Sequence, residues 1–541
     1  MPAYALALAL LVTAPLLAPG YLLLRDAVST PRSYLSDAAL GLSEAAPRAL
    51  PQDFAVAVAS HVVDGGVVVK ALLIAGLWLA GWGAARLAAV VLPDAGLSGQ
   101  FVAATLAVWN PYVAERLLQG HWSLLVGYGC LPWMAVAILR LRGIGGAWWQ
   151  AVFWMALAGL TPTGLMLAAT VALTCCLAPG LGRTRWACAA VSLGAAVVAA
   201  LPWLVASMVA GSLSSSQASG VSAFAARAEP GLGTLFSLAG LGGIWNAQAV
   251  PSSRTTLFAV VATVVLLAVV AVGLPTALRR SPAVPMLALA AVAVVVPALM
   301  ATGPGLAVVE ATVRTLPGLG VLRDAQKWVA LAMPGYALAG AAAVVTMRHR
   351  VPAAATAAAC CLALLAVLPD LAWGVGGKVT SVRYPPSWAE AAALINADPR
   401  PVVMLPPDSL REFAWAGPAP VLDPLPRWVS ADVLTTGDLV IGGKVVPGEG
   451  ERARSVQQLV SSGANADDVA RAGVGWVVVE SAGATLPLPV AYRGDDLTVY
   501  RVGGDHPAAA HREVLIAAHL VWLAALITSA IGSVVTRRRA G

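Results

Sequence analysis

Three polar clusters in this chain carry residue types able to do chemistry, and each one breaks or borders an apolar run. The first is Trp109–His121, WNPYVAERLLQGH, which places Asn110, Glu115, Arg116, Gln119 and His121 between two hydrophobic stretches. The second is Asp26, beside Arg25 at the edge of the first apolar run, with Asp37 eleven residues later. The third is Arg323, Asp324, Gln326 and Lys327. Charge at membrane depth is costly unless it lines a protected or watery cavity, so clusters of this kind are candidate walls of an active site. A carboxylate there can take a proton as a general base. Two cations with an amide suit a lipid phosphate, which arginine grips bidentately and lysine meets as a point charge.

The elements that must hold these residues follow from local chemistry. Asn110 is a suitable N-cap, Pro111 fits a first helical turn and Gly120 fits a helix end, which predicts a helix of about nine residues, too short to span a bilayer. Glu115 and Gln119 lie four apart and share one face of it.

Composition sets the wider class. The chain is 59% hydrophobic and 11% charged, and its mean hydropathy is +0.79. These values describe a polytopic membrane protein and exclude an ordinary soluble one. Candidate spans are 3–24, 68–91, 98–109, 122–139, 147–161, 164–179, 187–209, 255–276, 283–301, 328–346, 352–371 and 513–535. The expected fold is therefore mainly α, with about twelve transmembrane helices. The run 3–24 lacks a basic leader and a clear cleavage site, so it is read as a true first helix. The six cysteines lie in apolar segments without metal-ligand spacing and read as small core residues.

Arginine placement sets the expected orientation. Arg140, Arg142, Arg183, Arg185, Arg279, Arg280, Arg348, Arg350 and Arg537–Arg539 fall in short connections or the tail, which the positive-inside rule makes cytoplasmic. Both termini are then cytoplasmic in the plasma membrane, and the long connections 25–67, 210–254, 302–327 and 372–512 lie outside. The net charge of +7 is spread over those loops and is no nucleic-acid signal. No phosphate loop or dinucleotide fingerprint is present, which argues against ATP-driven transport by this chain.

Residues 1–372 thus read as a transmembrane core with outer loops 25–67, 210–254 and 302–327, and 513–541 as a last helix with a basic tail. Within the loops, 34–46 and 52–63 are candidate surface helices, the serine-rich part of 210–254 a mobile loop, and Trp245 and Asn246 an interfacial element. Residues 378–505 change character. PVVMLP at 401–406, GWVVVES at 475–481 and LTVYRV at 497–502 read as strands. AAALIN behind a Ser387–Glu390 capping box, SVQQLVSSG at 455–463 and the Asp467–Ala472 stretch read as helices. Together they predict a small extracytoplasmic α/β domain of about 125 residues, enough for its own core. It carries no catalytic signature and reads as a structural or acceptor-binding module.

The pattern resembles membrane glycosyltransferases of the GT-C class, of the actinobacterial envelope type. An acidic residue follows the first span, here Asp26 with Asp37 behind it. NP-x4-RL-x2-GH is present as Asn110, Pro111, Arg116, Leu117, Gly120 and His121, and RD-x-QK as Arg323, Asp324, Gln326 and Lys327. The resemblance implies a polyprenyl-phosphate sugar donor, an envelope glycan or glycolipid acceptor, a membrane lipid environment and no nucleic acid. It departs from the adjacent acidic pair of some members, because Arg25 precedes Asp26. It implies Asp26 or Asp37 as the catalytic base and Arg323, Gln326 and Lys327 as the donor-phosphate site. Asn110, Glu115, Arg116, His121 and Asp324 would orient substrate. No nucleotide is needed, because the lipid phosphate is the leaving group, and Asp26, Asp37 and Glu115 are of a type that could hold a divalent metal. Two other classes fit the same composition: a transporter or flippase of a lipid-linked glycan, and a non-catalytic scaffold of an envelope-assembly complex.

Overall fold

The computed structural model describes residues 1–43, 49–143, 145–209, 220–316, 319–407, 409–441, 444–480, 485–507 and 509–540. The end of the 34–46 segment, the serine-rich run within 210–219 and the side chains of Arg537–Arg539 lie outside the described residues.

The molecule is mainly helical. Among the described residues, six helices are long and apolar enough to cross a membrane: Gly65–Val91, Trp122–Arg142, Arg185–Val209, Phe258–Leu278, Ala325–Met347 and Arg512–Thr536. Two helix pairs, Val284–Met300 with Gly303–Thr315 and Ala353–Ala366 with Pro369–Gly377, bend by 92° and 73°, so the count reaches eight if each is one span. This differs from the twelve apolar runs, because several runs are apolar yet short or broken. The run 3–24 is a Pro2–Thr13 helix and a single 3-10 turn, Ala14–Leu17. Pro15, Pro19 and Gly20 stop it, and the chain turns into a strand at Tyr21–Leu24. The runs at 98–109, 147–161 and 164–179 become Gly96–Val108, Trp148–Ala158 and Pro162–Cys176, each well under the roughly 20 residues a span needs.

Small residues let the central helices meet. A Cβ on Gly129 would sit 2.2 Å from the Gly76 carbonyl oxygen, and one on Gly76 would sit 2.9 Å from Val126 Cα. Close backbone approach of this kind supplies the van der Waals contact that replaces the hydrophobic effect within lipid.

The charged loops sort to opposite ends of the bundle. Trp122–Arg142 begins beside His121 and ends at Arg142, whose guanidinium donates to the Ala178 and Arg183 carbonyls. Asp94 pairs with Arg280 at 2.6 Å and lies 3.9 Å from Arg348 at that same far end. The near end holds Asp26, the start of Gly65–Val91 and the α/β region. Of the candidate surface helices there, 52–63 forms as Gln52–Ala59, while 34–46 shrinks to Asp37–Leu40.

The α/β region forms a five-stranded mixed sheet, ordered Val490–Arg493, Thr498–Arg501, Trp476–Val479, Val402–Leu405, Val433–Leu434. Trp476–Val479 runs parallel to Val402–Leu405 and antiparallel to Thr498–Arg501. The three strands expected from sequence are present, and so are the helices Pro386–Ala397, Glu451–Ser461 and Ala466–Arg471. The capping box is absent, since Pro385 is the N-cap and Ser387 Oγ donates to Asp496 at 3.3 Å instead.

One strand joins the two cores. Tyr21–Leu24 pairs antiparallel with Ser381–Val382. Side chains alternate across a strand, and here Leu22 and Leu24 enter the core of the helical bundle while Leu23 enters the core around Trp388 and Val421. Gly129→Leu should push the Trp122–Arg142 helix off Gly65–Val91 and cost about 1–3 kcal/mol of stability, as overpacking does. Thermal unfolding of the detergent-solubilised protein, followed by tryptophan fluorescence, checks this; an unchanged midpoint would refute the close packing.

Candidate active site

Asn110 caps the Pro111–Leu118 helix, its Oδ1 accepting from Val113 N at 3.1 Å, and its amide also donates to the Leu106 and Ala107 carbonyls. This is the short helix expected from Asn, Pro and Gly spacing. Asn110 shapes the turn and is fully buried. Gly120 ends the segment at φ +83°, and a Cβ there would lie 2.3 Å from the Leu24 carbonyl oxygen and 2.4 Å from Ala27 N. No larger residue fits, because helix end and strand end touch at this point.

The helix presents Arg116 to the second motif. Arg116 is fully buried, and its guanidinium donates to Asp324 at 2.8 and 3.1 Å and to Gln326 Oε1. Gln326 in turn donates to Glu115 Oε2 at 2.9 Å. Glu115 also accepts from the backbone N–H groups of Gly243 and Ile244, at 3.1 and 3.2 Å. One helical turn on, Gln119 accepts from Asn246 at 2.8 Å, so the shared face of Glu115 and Gln119 receives the 243–246 loop. Two motifs about 200 residues apart in sequence thus form one buried network. Lys327 lies at its edge, 3.7 Å from Asp324 and about a quarter exposed.

The network reaches Asp26 through His121. Arg116 Nη1 lies 3.1 Å from His121 Nδ1, and His121 Nε2 lies 2.9 Å from Asp26 Oδ2. A guanidinium only donates, so Nδ1 must accept, and the ring proton sits on Nε2 and donates to Asp26. Burial, with the charges of Lys327 and Arg116, pushes the His121 pKa down and keeps this ring neutral. Gln119 adds a second donor to Asp26 Oδ2 at 3.2 Å. Burial opposes the Asp26 charge, but the His121 and Gln119 hydrogen bonds and the Lys327 charge outweigh it and hold the pKa below the usual carboxylate range. The Asp26 side chain is 38% exposed, against 15% for His121. Asp26 is the carboxylate of this network that faces out.

Arg25 sets that geometry, a role its position beside Asp26 concealed. Its backbone takes the left-handed conformation, φ 48°. Its N–H donates to Pro420 O at 2.9 Å and its carbonyl accepts from Leu422 N at 2.8 Å, both in the α/β region. The guanidinium turns away from Asp26 and donates to Leu118 O at 2.6 Å and Gln248 O at 3.0 Å. The first of these satisfies a carbonyl at a helix C-terminus, where positive charge is favoured.

The remaining candidates lie apart. Asp37 opens a short helix and pairs with Arg512, at the start of the last long helix. Arg323 stacks on Phe224 with its guanidinium carbon 5.3 Å from the ring centre, and its Nε donates to Gly320 O. Asp324 therefore pairs with Arg116 and not with its neighbour Arg323. Asp26, Asp37 and Glu115 do not converge, and among the described residues no group of three His, Cys, Asp or Glu is placed to hold a metal ion. A second buried pair that the motifs did not flag, Glu229 with Arg254, lies beside Glu115, and Arg254 Nε donates to Glu229 at 2.9 Å. Burial, with the charge of Glu229, raises the Glu115 pKa. The sequence signal for this pair was weak: two lone charges 25 residues apart in a glycine-rich loop.

No family model matches the sequence, and no curated protein matches it. Solved structures do match. The cryo-EM structure of the arabinofuranosyltransferase AftD from Mycobacteria superposes over 93% of this chain with a TM-score of 0.58 and 18% identity. A structure of an AftD mutant superposes over the same share with a TM-score of 0.56 and 18% identity. This chain spans 40% and 42% of those chains. The likeness shows a shared fold, and at that level the resemblance to GT-C glycosyltransferases holds.

Removing Arg116 leaves Asp324 buried without its bidentate partner. Arg116→Met should therefore destabilise the protein by about 3–5 kcal/mol, while Asn110→Ser, which keeps a cap, should cost far less. Burial opposes the Asp324 charge, yet Arg116 and Lys327 hold its pKa well below the ordinary value of about 3.9. The stabilisation from this pair is thus complete above that ordinary value and disappears only as pH falls toward the folded-state pKa. Unfolding midpoints measured from pH 7 down to pH 3 should show no Arg116-dependent loss until the acid end.

Proposed function

We propose that the protein is a glycosyltransferase that moves a sugar from a polyprenyl-phosphate donor to a cell-envelope glycan or glycolipid. The observation that carries this reading is the Asp26 carboxylate, ionised, partly exposed and oriented by His121 and Gln119. It stands at the bundle end that also holds the α/β region. The shared fold with an arabinofuranosyltransferase supports the same reaction class. It also makes a pentofuranose a natural first donor to test.

In this mechanism an acceptor hydroxyl gives its proton to Asp26 as its oxygen attacks the anomeric carbon of the donor. The bond from that carbon to the phosphate oxygen breaks, and polyprenyl phosphate leaves with the electron pair. Lys327, the partly exposed cation at the edge of the network, neutralises the leaving phosphate, and buried Gln326 braces Arg116 and Glu115 behind it. His121 holds Asp26 in place by its Nε2 proton, and Arg116 fixes the His121 tautomer through Nδ1. Asn110, Glu115 and Asp324 keep that frame rigid. Asp37, tied to Arg512, anchors the last helix rather than taking the proton. No step is assigned to a metal ion, since the three candidate carboxylates are engaged separately. Transfer takes place at the extracytoplasmic face of the plasma membrane. Both termini and the far-end arginines lie in the cytoplasm, and the α/β region lies outside.

Asp26→Asn should lower transfer by roughly 10²-fold or more with the protein still folded, the scale of a lost general base. Asp37→Asn should leave transfer nearly intact. The check is release of radiolabelled sugar from a polyprenyl-phosphate donor in reconstituted vesicles; translocation without cleavage would identify a flippase instead, and full activity of Asp26→Asn would remove the base assignment. Activity should persist through neutral pH and fall only as acid protonates Asp26, below the usual carboxylate range.

Lys327→Ala should raise the donor KM more than Arg323→Ala does, because Lys327 borders the Arg116 network and Arg323 stacks on Phe224. A short-chain donor analogue measures both, and the opposite ranking would move the phosphate toward Phe224.

A further inference from the structure

A cavity of about 240 Å³ lies between the outer loop and the α/β region, away from the Arg116 network. Its wall reaches Val28, two residues beyond Asp26, and Trp122, next to His121. The polar side is made of opposed charges. Arg427 pairs with Asp53 at 3.1 Å across the loop and the α/β region, and Arg411 lies 3.5 Å from Asp423. Between them stand two buried acceptors without partners among the described residues, Gln457 Oε1 and Ser409 Oγ. Gln457 is 3% exposed. The opposite wall is apolar, with Trp122, Met404 and Val56.

Each feature restricts the ligand. Both arginines are matched by carboxylates, and the third carboxylate of the lining, Glu449, is itself engaged, so the pocket offers no unmatched positive charge to select an anion. A buried amide oxygen with no donor is costly unless something supplies one. Hydroxyl groups donate and accept, and the C–H face of a sugar ring packs on apolar and aromatic side chains. We propose that this cavity binds an uncharged, polyhydroxylated unit of the acceptor glycan, with Gln457 and Ser409 reading its hydroxyls. The proposal rests on the glycosyltransferase reading, and it gives the α/β region its function: it presents the acceptor within reach of Asp26.

The test uses the full chain in lipid nanodiscs and two fluorescent probes, a linear α-arabinofuranosyl tetrasaccharide and an α-mannopyranosyl trisaccharide. One of them should bind, and Gln457→Leu should weaken that binding roughly tenfold, the effect of about 1.4 kcal/mol. Ser409→Ala, at a partly exposed loop position, should weaken it severalfold and keeps the test usable if Gln457→Leu folds poorly. Binding unchanged in both pocket variants, or transfer by a wild type that binds neither probe, overturns the acceptor site while leaving the transferase reading intact. Loss of transfer activity in every preparation, with binding still sensitive to Gln457, would overturn the transferase reading and keep a glycan-binding pocket.

Discussion

A guanidinium buried to zero exposure is the constraint on which this architecture depends. Taking Arg116 out of water costs several kcal/mol unless its donors are matched. Its two Nη groups are matched by three side chains: Asp324 and Gln326 from the start of the Ala325–Met347 helix, and His121 from the start of Trp122–Arg142. Helix ends that would otherwise be free to splay are thereby fixed to one point. Two cations, one carboxylate and a neutral imidazole then share that point, and the arrangement holds Asp26 by a ring whose tautomer is set by the arginine. The same residue that stabilises the bundle end decides which ring nitrogen donates to Asp26.

The other half of the constraint is backbone. Asp26 follows a strand inserted between two cores, with Leu23 on one side and Leu22 and Leu24 on the other. It is followed by the Ala27–Val28 strand, which folds back antiparallel onto Tyr21–Leu24. The reversal between them puts Arg25 in the left-handed region, which an arginine adopts only when its surroundings over-determine it. Two backbone hydrogen bonds from the α/β region and two side-chain bonds to carbonyls provide that. The α/β region is therefore part of what aims Asp26 and not a separate appendage.

Much of this was legible in the chain. The Asn-Pro-Gly spacing gave the short helix, and three β-branched runs gave the central strands. The two motifs contain most residues of the network: Arg116, His121, Asp324, Gln326 and Lys327. What stayed hidden depended on contacts between distant segments. Asp26 and Asp37 look alike in sequence, and only the positions of His121 and Arg512 separate them. Arg25 stood out only as the neighbour of Asp26, because a φ of 48° and a carbonyl 93 residues away leave no trace in composition. Apolar runs number twelve, against six to eight helices of spanning length among the described residues, because several runs are short or broken. Apolar content reports burial, and it does not distinguish burial in lipid from burial among other helices. Trp122–Arg142 and Ala325–Met347 are each 94% buried inside the protein over their most apolar stretch.

That burial bears on how charge survives here. A bundle whose central helices are 94% buried inside the protein can keep Glu115, Arg116 and Asp324 sealed at its end, while peripheral helices such as Arg185–Val209 and Arg512–Thr536, only 28% buried over theirs, form its outer surface. The network needs such shielding to keep the low local dielectric that makes its hydrogen bonds strong. Exposure is confined to two charged groups at the edge of the network. Asp26 is open by about a third and Lys327 by about a quarter, while the arginine, the amide and the second carboxylate behind them are shut. A flexible surface cluster of the same residues would lose most of this difference to solvent screening. The gradient from sealed to open across a single hydrogen-bonded chain leaves one defined carboxylate, Asp26, open to solvent while the ion pair behind it stays buried.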